Sequence, residues 1–133
     1  MTTLTLRIPG PLKGRRASEM DWLTSNMRLH NRVRDDRIAR LRTLAAVYAR
    51  VQRLEPVTTT VNVLALVSYP TRAHADAHNA QPTVKAAIDG LVDAGILAGD
   101  FGCYVHDVTF RRGPITGERG TYQLTLELTE QTA

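Results

Sequence analysis

The chain has 133 residues, a length that suits one domain, and its 43% apolar content is enough for a packed core and excludes wholesale disorder. The longest uninterrupted apolar run, Val63 to Val67, is far short of the roughly 20 residues that cross a membrane. The N-terminal segment has no apolar block of the secretory kind. A single cysteine, Cys103, excludes an internal disulfide framework. We therefore expect a soluble, cytoplasmic protein without membrane contact.

The charges are divided unevenly along the chain. There are 17 basic and 13 acidic residues, and 11 of the basic ones lie between Lys13 and Arg53. Most of the acidic residues come later. This asymmetry predicts that the first half holds a polyanion while carboxylates in the second half do chemistry. The alternative is an Arg-rich helix face that is simply solvated.

The first half predicts one strand, one loop and one long helix. Residues Thr3 to Ile8 alternate as a strand does and stop at a Pro-Gly-Pro turn, after which Leu12 to Met27 is a loop. A helical pattern runs from about Asn31 to Pro56. Its apolar stripe consists of Ile38, Leu41, Leu44 or Ala45, Tyr48, Val51 and Leu54, with arginines over much of the remaining surface.

The second half predicts three strands and a second helix. Val57 to Tyr69 is a strand, and the helix has Pro82 in its first turn and Gly95 just past its end. Residues 103–112 and 121–130 are two more strands, whose short connection predicts an antiparallel hairpin. The order β-α-β-α-β-β, with no repeat or linker, indicates a single α+β domain over residues 1–133, with helices packed on a mixed sheet.

Candidate chemistry is concentrated between the second strand and the third. Asp76, His78 and Asn79 lie before the second helix, Lys85 lies one turn into it, and Asp100 follows it. A helix N-terminus suits a phosphate. Two carboxylates and an imidazole would hold a divalent cation, with the lysine facing the phosphate. The alternative is that Asp76 and Asn79 are turn or capping residues and Lys85 a solvated one.

Two blocks of sequence resemble one family. The first is Asn26-Met27-Arg28-Leu29-His30, followed by the Arg-rich helix. The second has the form Asp-x-x-Asn-x-x-Pro-Thr-x-Lys-x-x-x-Asp-Gly-Leu-x-x-Ala-Gly from Asp76 to Gly95, and then reaches Asp100. Together they resemble the RusA family of Holliday-junction resolvases, especially the forms borne by bacteriophages. The likeness spans about Ile8 to Leu128.

The resemblance implies a dimeric, magnesium-dependent endonuclease with a RusA-like fold that cuts four-way DNA junctions. Asp76 and Asp100 match the acidic metal-site positions, and Lys85 matches the essential lysine. Two departures concern the metal. His78 stands where the best-known members have an aspartate, and Gly99 precedes Asp100 where they have an acidic doublet. With His78 added to the two aspartates as a ligand, Mn²⁺ becomes an alternative to Mg²⁺.

The residues expected at DNA are cationic or polar side chains in or near the two blocks, where arginine and lysine would hold phosphates. They are Lys13, Asn26, Arg28, His30, Arg32, Arg34 and Asn79. For two residues an alternative stays open. His30 contacts DNA or caps the long helix. Trp22 belongs to the core or stacks on an unpaired base at a branch point.

Two other functions compete with the resolvase hypothesis. One is a branched-DNA-binding protein of the same fold that has lost catalysis, suggested by His78 and Gly99. The other is a small zinc-stabilised interaction module. Its ligands would be His74, His78, Cys103 and His106. Against zinc, Cys103 and His106 are three apart in a predicted strand, so their side chains point to opposite faces. We expect His106 to be half-buried in the sheet and Cys103 to be a small apolar residue.

Overall fold

A computed structural model describes residues 1–72, 75–98 and 104–131. The elements in chain order are β1 (Thr2–Pro9), α1 (Asn31–Val51), β2 (Val61–Ser68), α2 (Gln81–Asp93), β3 (Val105–Arg112) and β4 (Thr121–Glu130). Two short 3-10 turns precede the helices, at Ala17–Glu19 and Ala77–Ala80. The predicted α+β class is confirmed. Within the described ranges, neither helix has the length and apolar character needed to cross a membrane.

The four strands form one mixed sheet in the order β1-β4-β2-β3. β2 and β3 are parallel, and β4 is antiparallel to β1 and to β2. The predicted β3–β4 hairpin is therefore wrong, because β2 lies between the two strands. The loop after β3 bonds to the end of β2: the Gly113 N–H donates to the Val67 carbonyl and the Thr116 N–H to the Tyr69 carbonyl, both at 2.9 Å. The chain thus passes across β2 before β4 begins.

One face of the sheet forms the core with both helices. Leu4, Leu126 and Ala65 lie side by side in register across β1, β4 and β2, and all three are fully buried. Buried residues of α1 and α2 belong to the same cluster. The helices approach closely at Gly90, where a Cβ atom would lie 2.7 Å from the Cβ of Ala45. A side chain at position 90 would push them apart.

The buried face of α1 differs from the predicted stripe. Buried positions recur every fourth residue, at Arg37, Leu41, Ala45 and Ala49, so an arginine takes part in the core. Val51 is 71% exposed because the helix ends there, five residues before Pro56.

The end of α1 is tied to the edge of the sheet. The Gln52 side chain pairs with the Thr5 backbone: its Oε1 accepts from the N–H at 3.2 Å, and its Nε2 donates to the carbonyl at 2.7 Å. The side-chain amide therefore occupies part of the β1 edge that no strand covers.

Most predicted limits of the later elements are close to the observed ones, but the predicted start of β2 at Val57 is four residues early. β2 begins at Val61, and Val57 instead forms an isolated bridge with Leu97. Pro82 lies in the first turn of α2, and Gly95 follows the helix with a φ of +77°, a conformation that glycine adopts without strain. These end signals are confirmed.

Candidate functional site

The residues just before the first sequence block are bonded to the second block. The Ser25 N–H donates to the Asn79 carbonyl at 2.8 Å, across 54 residues of sequence. Beneath this contact, the Thr83 hydroxyl accepts from the Leu23 N–H at 3.0 Å and donates to the Leu23 carbonyl at 2.7 Å. Both of these bonds are buried. The loop before α1 is thus fixed to the start of α2, where the candidate metal ligands lie.

Asp76 and His78 are adjacent and exposed. Asp76 caps the 3-10 turn: its Oδ1 accepts from the His78 N–H at 3.0 Å and lies 3.5 Å from the His78 Nδ1. The two side chains are 67% and 72% exposed. Asp76 is therefore a capping residue, as the alternative held. A carboxylate and an imidazole at this separation also suit a divalent cation with mixed oxygen and nitrogen ligands.

Lys85 lies on the exposed side of α2, and its Nζ is 3.5 Å from Asp89 Oδ2. The lysine lines a groove of about 260 Å³ between α2 and β3, together with Phe110. The His78 ring packs against the same Phe110, with centroids 4.9 Å apart. Phe110 therefore contacts His78 and lines the same groove as Lys85.

Asp100 and Gly99 lie outside the described residues. Within the described ranges, no group of three His, Cys, Asp or Glu side chains is close enough to hold a metal ion. Two of the three predicted metal ligands, Asp76 and His78, are thus brought together by the described structure.

The predicted DNA-binding residues lie around the same region. His30 is the N-cap of α1, with its Nδ1 accepting from the Arg32 N–H at 3.2 Å, so the capping alternative holds for this nitrogen. Arg28 and Arg32 are exposed and Arg34 is half-buried. None of these arginines forms an ion pair with a described carboxylate. Asn26 and Lys13 are exposed, and Asn79 is half-buried with its carbonyl accepting from Ser25.

Next to this surface is a groove of about 770 Å³ that the sequence did not indicate. Three aromatic residues are among those that line it: Trp22 and Tyr69, which are buried, and Tyr122, which is half-buried. Trp22 stacks on Tyr122 at 4.7 Å between centroids, and Tyr69 meets both rings edge-on. We call it the aromatic groove. Its other lining residues include Leu12, Lys13, Met20, Thr24, Met27, Pro70, Ala75 and Arg119.

The aromatic groove opens beside Asp76. The Tyr69 hydroxyl donates to the Asp76 carbonyl at 3.0 Å, and burial raises the pKa of Tyr69 above its ordinary value. Trp22 is 1% exposed, so its assignment to the core is confirmed. A signal existed in the sequence, because Tyr69 follows β2 and Tyr122 opens β4. The end of β2 and the start of β4 lie side by side because these two strands pair antiparallel. The prediction paired β4 with β3 instead, so it did not bring Tyr69 and Tyr122 together.

Arg37 lies under the loop that lines the groove. It is 3% exposed, and its Nη1 donates to the Trp22 carbonyl at 3.1 Å and contacts the Met27 sulfur at 3.7 Å. Its Nε has no hydrogen-bond partner in the described chain. Burial lowers the pKa of Arg37, but arginine stays charged at neutral pH. The only sequence signal was its place four residues before Leu41.

Of the four candidate zinc ligands, only His78 and His106 lie within the described residues. His74 and Cys103 lie outside the described residues. His106 is exposed, so the prediction that it is half-buried is wrong. The reason is that β3 is an edge strand whose register with β2 shifts at this point. The neighbouring Asp107 is also exposed.

Comparison of the chain with protein-family models and with curated proteins finds no match. The resemblance to the RusA family therefore rests on the two sequence blocks alone.

Proposed function

We propose that this protein is a metal-dependent endodeoxyribonuclease that cleaves four-way DNA junctions, as the resemblance to RusA implies. The observation that carries the proposal is the pair of contacts from Ser25 to Asn79 and from Leu23 to Thr83. They hold the Arg-rich block against the block that bears Asp76. Cationic side chains that bind DNA and a carboxylate that binds a metal ion are both needed to cut a phosphodiester.

The start of α1 supports phosphate binding. Arg28, Arg32 and Arg34 have no described carboxylate partner, and the helix has no acidic residue in its first turn. The positive end of the helix dipole adds to these charges. Phosphate contacts of this kind supply affinity without sequence recognition, which suits an enzyme that selects a DNA shape.

Asp76 and His78, with Asp100, would hold Mg²⁺ or Mn²⁺, which when bound activates water and polarises a phosphoryl oxygen. The role of Lys85 is to offset negative charge that develops on the phosphoryl group. Its contact with Asp89 joins exposed groups at 3.5 Å, and such pairs are weak. Lys85 can therefore exchange Asp89 for a phosphate at little cost.

Two chains acting together would make the paired cuts that resolve a four-way junction, because the junction has two-fold symmetry. The proposal thus includes a homodimer. It also includes a cytoplasmic location, where cellular or phage DNA is accessible.

A branched-DNA-binding protein without catalysis is the second candidate. The observation that favours it is His78, which replaces a carboxylate beside Asp76 and lowers the negative charge available to a hard cation. This candidate keeps the same basic surface and loses only the cleavage step.

Cleavage of a synthetic four-way junction with Mg²⁺ or Mn²⁺ separates the two candidates. We expect the parent to cut, and Asp76→Asn and Asp100→Asn to abolish cutting while junction binding stays largely intact. Asparagine keeps the capping oxygen, so Asp76→Asn preserves the turn. Lys85→Ala should lower the rate by orders of magnitude with a smaller change in binding, because the lysine acts mainly in the transition state.

Asp107→Asn is the matched control, since Asp107 is exposed on β3 and is not among the proposed ligands. It should cut like the parent. Binding of the parent without nicking in either metal would favour the non-catalytic candidate. Cutting by Asp76→Asn at the parent rate would show that the metal assignment is wrong.

The departure at His78 has its own test in the same assay. His78→Asp should shift the metal optimum from Mn²⁺ toward Mg²⁺, because a carboxylate is the harder ligand. An unchanged metal preference in a well-folded variant would show that His78 does not reach the cation.

A further inference from the structure

We propose that the aromatic groove binds one unpaired nucleobase of the branched DNA, with the neighbouring phosphates held by Lys13 and Arg119 at its rim. This inference rests on the proposed function, since it names the part of the DNA that lies next to Asp76. Base binding in the groove would let the protein select branch points, which phosphate contacts alone do not distinguish from duplex DNA.

The lining of the groove suits a flat, apolar group. The half-buried Tyr122, which stacks on Trp22, is the accessible aromatic ring of the lining, and Leu12, Met20 and Met27 line the groove further. Methionine side chains adapt to the shape of a planar ligand. The volume of about 770 Å³ lies within the roughly 300–1,000 Å³ of ordinary small-molecule sites, so a nucleotide can enter without opening the core.

The charges at the rim of the groove favour an anionic occupant. Lys13 and Arg119 are exposed and have no ion-pair partner in the described chain. Three carboxylates close to the lining in sequence are already paired: Asp21 with Arg40 at 2.5 Å, Glu19 with Arg16 at 2.9 Å and Glu118 with Arg7 at 3.0 Å. A fourth, Asp76, follows the lining residue Ala75 and is a proposed metal ligand. The buried guanidinium of Arg37 adds a positive charge beneath the Trp22 loop. An apolar site with a cationic rim is complementary to a nucleobase with its phosphates.

The position of the groove links base binding to the candidate cleavage site. The hydrogen bond from the Tyr69 hydroxyl to the Asp76 carbonyl joins the groove to the turn that carries the metal ligands. A base in the groove would place a phosphate of the same strand next to Asp76. In duplex DNA each base is stacked and paired, whereas a base at a branch point is released at lower cost. Occupancy of the groove therefore favours branched DNA over duplex.

The chain contains a single tryptophan, Trp22, and this residue lines the aromatic groove. Its fluorescence therefore reports on the groove without any label. The test uses the full chain and two four-way junctions of the same sequence. One junction is complete, and the other carries abasic sites at the branch point.

The first variant is Thr24→Phe, which fills the groove from a half-buried position whose side chain makes no hydrogen bond to the described residues. We expect it to weaken binding to the complete junction by about 5- to 150-fold, the range for loss of one stacked base. On the abasic junction, parent and Thr24→Phe should bind equally. In the parent, the complete junction should quench Trp22 fluorescence more strongly than the abasic one.

The second variant removes the rim charges, as Lys13→Ala with Arg119→Ala, and should fold normally because both side chains are exposed. It should lower the slope of log affinity against log salt by about 0.7–0.9 for each lost phosphate contact. The matched control is Arg50→Ala, an exposed arginine in the last turn of α1 that does not line the groove. It should keep the slope of the parent.

The outcomes separate this inference from the proposed function. If the parent binds both junctions equally and Trp22 fluorescence does not respond to the bases, the inference is overturned while the proposed function stands. If the parent prefers the complete junction but does not cut it, the inference is supported and the nuclease proposal fails. If the parent binds neither junction, both are overturned.

Discussion

The arginines at the start of α1 and those in its middle behave differently. Arg28, Arg32 and Arg34 form no ion pair with a described residue. The next three are all engaged by the protein: Arg37 by the Trp22 carbonyl, Arg40 by Asp21 and Arg42 by Asp93. An Arg-rich stretch that looks uniform in sequence is thus divided into a structural set and a free set. Neither a solvated face nor a DNA-binding face describes the whole helix.

The free set is placed where the helix itself disfavours cations. The N-terminus of a helix carries partial positive charge, and no acidic residue in the first turn of α1 offsets it. Residues that oppose local stability are commonly those retained for function. The comparison therefore supports assigning DNA phosphates to the start of α1 and not to its middle.

The largest expected effect on stability comes from Arg37. Arg37→Ala should lower the free energy of unfolding by about 2–4 kcal/mol, because the Trp22 carbonyl loses its donor and a cavity remains. Arg37→Met should cost less, since it fills the site without a buried charge. Urea unfolding followed by Trp22 fluorescence measures both. An Arg37→Ala variant as stable as Arg28→Ala would contradict the division of the helix.

The second effect tests how tightly the middle of α1 packs on α2. Gly90→Ala should lower the free energy of unfolding by about 1–3 kcal/mol, because the added methyl group meets the Ala45 side chain and the backbone of Arg42. Thermal unfolding measures the change. If stability is unaltered, the helices can move apart to admit the methyl group at no cost. The middle of α1 would then be packed no more tightly than its start.

A smaller effect is expected at the ion pair of Arg42 with Asp93, whose two hydrogen bonds are 2.7 and 3.0 Å long. These bonds hold the pKa of Asp93 below its ordinary value. The pair therefore stabilises the fold above the ordinary carboxyl pKa, and this contribution disappears as the pH falls through the lowered pKa. Because both side chains are nearly half exposed, Asp93→Asn should cost only about 0.2–1 kcal/mol at neutral pH.

Unfolding of the parent and of Asp93→Asn across pH checks this expectation. The difference in stability should be largest at neutral pH and should vanish in acid. A difference that stays constant with pH would show that the ion pair is not its source.

The smallest effect on stability, close to zero, is expected for Arg28→Ala, Arg32→Ala and Arg34→Ala. Each should instead weaken junction binding and lower the salt slope by about 0.9, because each removes one phosphate contact. Binding titrations at several salt concentrations measure the slope. If all three variants keep the affinity and salt slope of the parent, the start of α1 is an ordinary solvated face and does not bind DNA.

The sequence predicted elements better than their arrangement. Periodicity and end signals such as Pro82 and Gly95 act within a few residues, so the helices, strands and α+β class were recovered. The prediction of a β3–β4 hairpin was wrong because the loop after β3 bonds to the end of β2 through Gly113 and Thr116. These contacts depend on the order of the strands in the sheet, which local sequence does not show. Arg37 was missed because its Nη1 donates to a backbone carbonyl of a distant loop, a contact that periodicity does not show.

The candidate site divides in the same way. Asp76, His78 and Lys85 could be proposed from their spacing and chemistry alone. The aromatic groove could not, because Trp22, Tyr69 and Tyr122 come from three separate segments that meet only in the folded chain. The Ser25–Asn79 contact was likewise invisible, although it joins the two blocks that carry the resemblance.

The position of β4 has a consequence for how the protein is made. This strand pairs with both β1 and β2, yet it follows every other element in chain order. During synthesis on the ribosome, β1 has no strand partner among the described residues until Thr121–Glu130 has emerged. Until then the nascent chain carries β1 without a strand partner and β2 with one edge unpaired, although β3 can already pair with the other edge. Such a state is prone to association and slow to close, because the missing contacts are distant in sequence. The sheet therefore closes only after translation has passed β4.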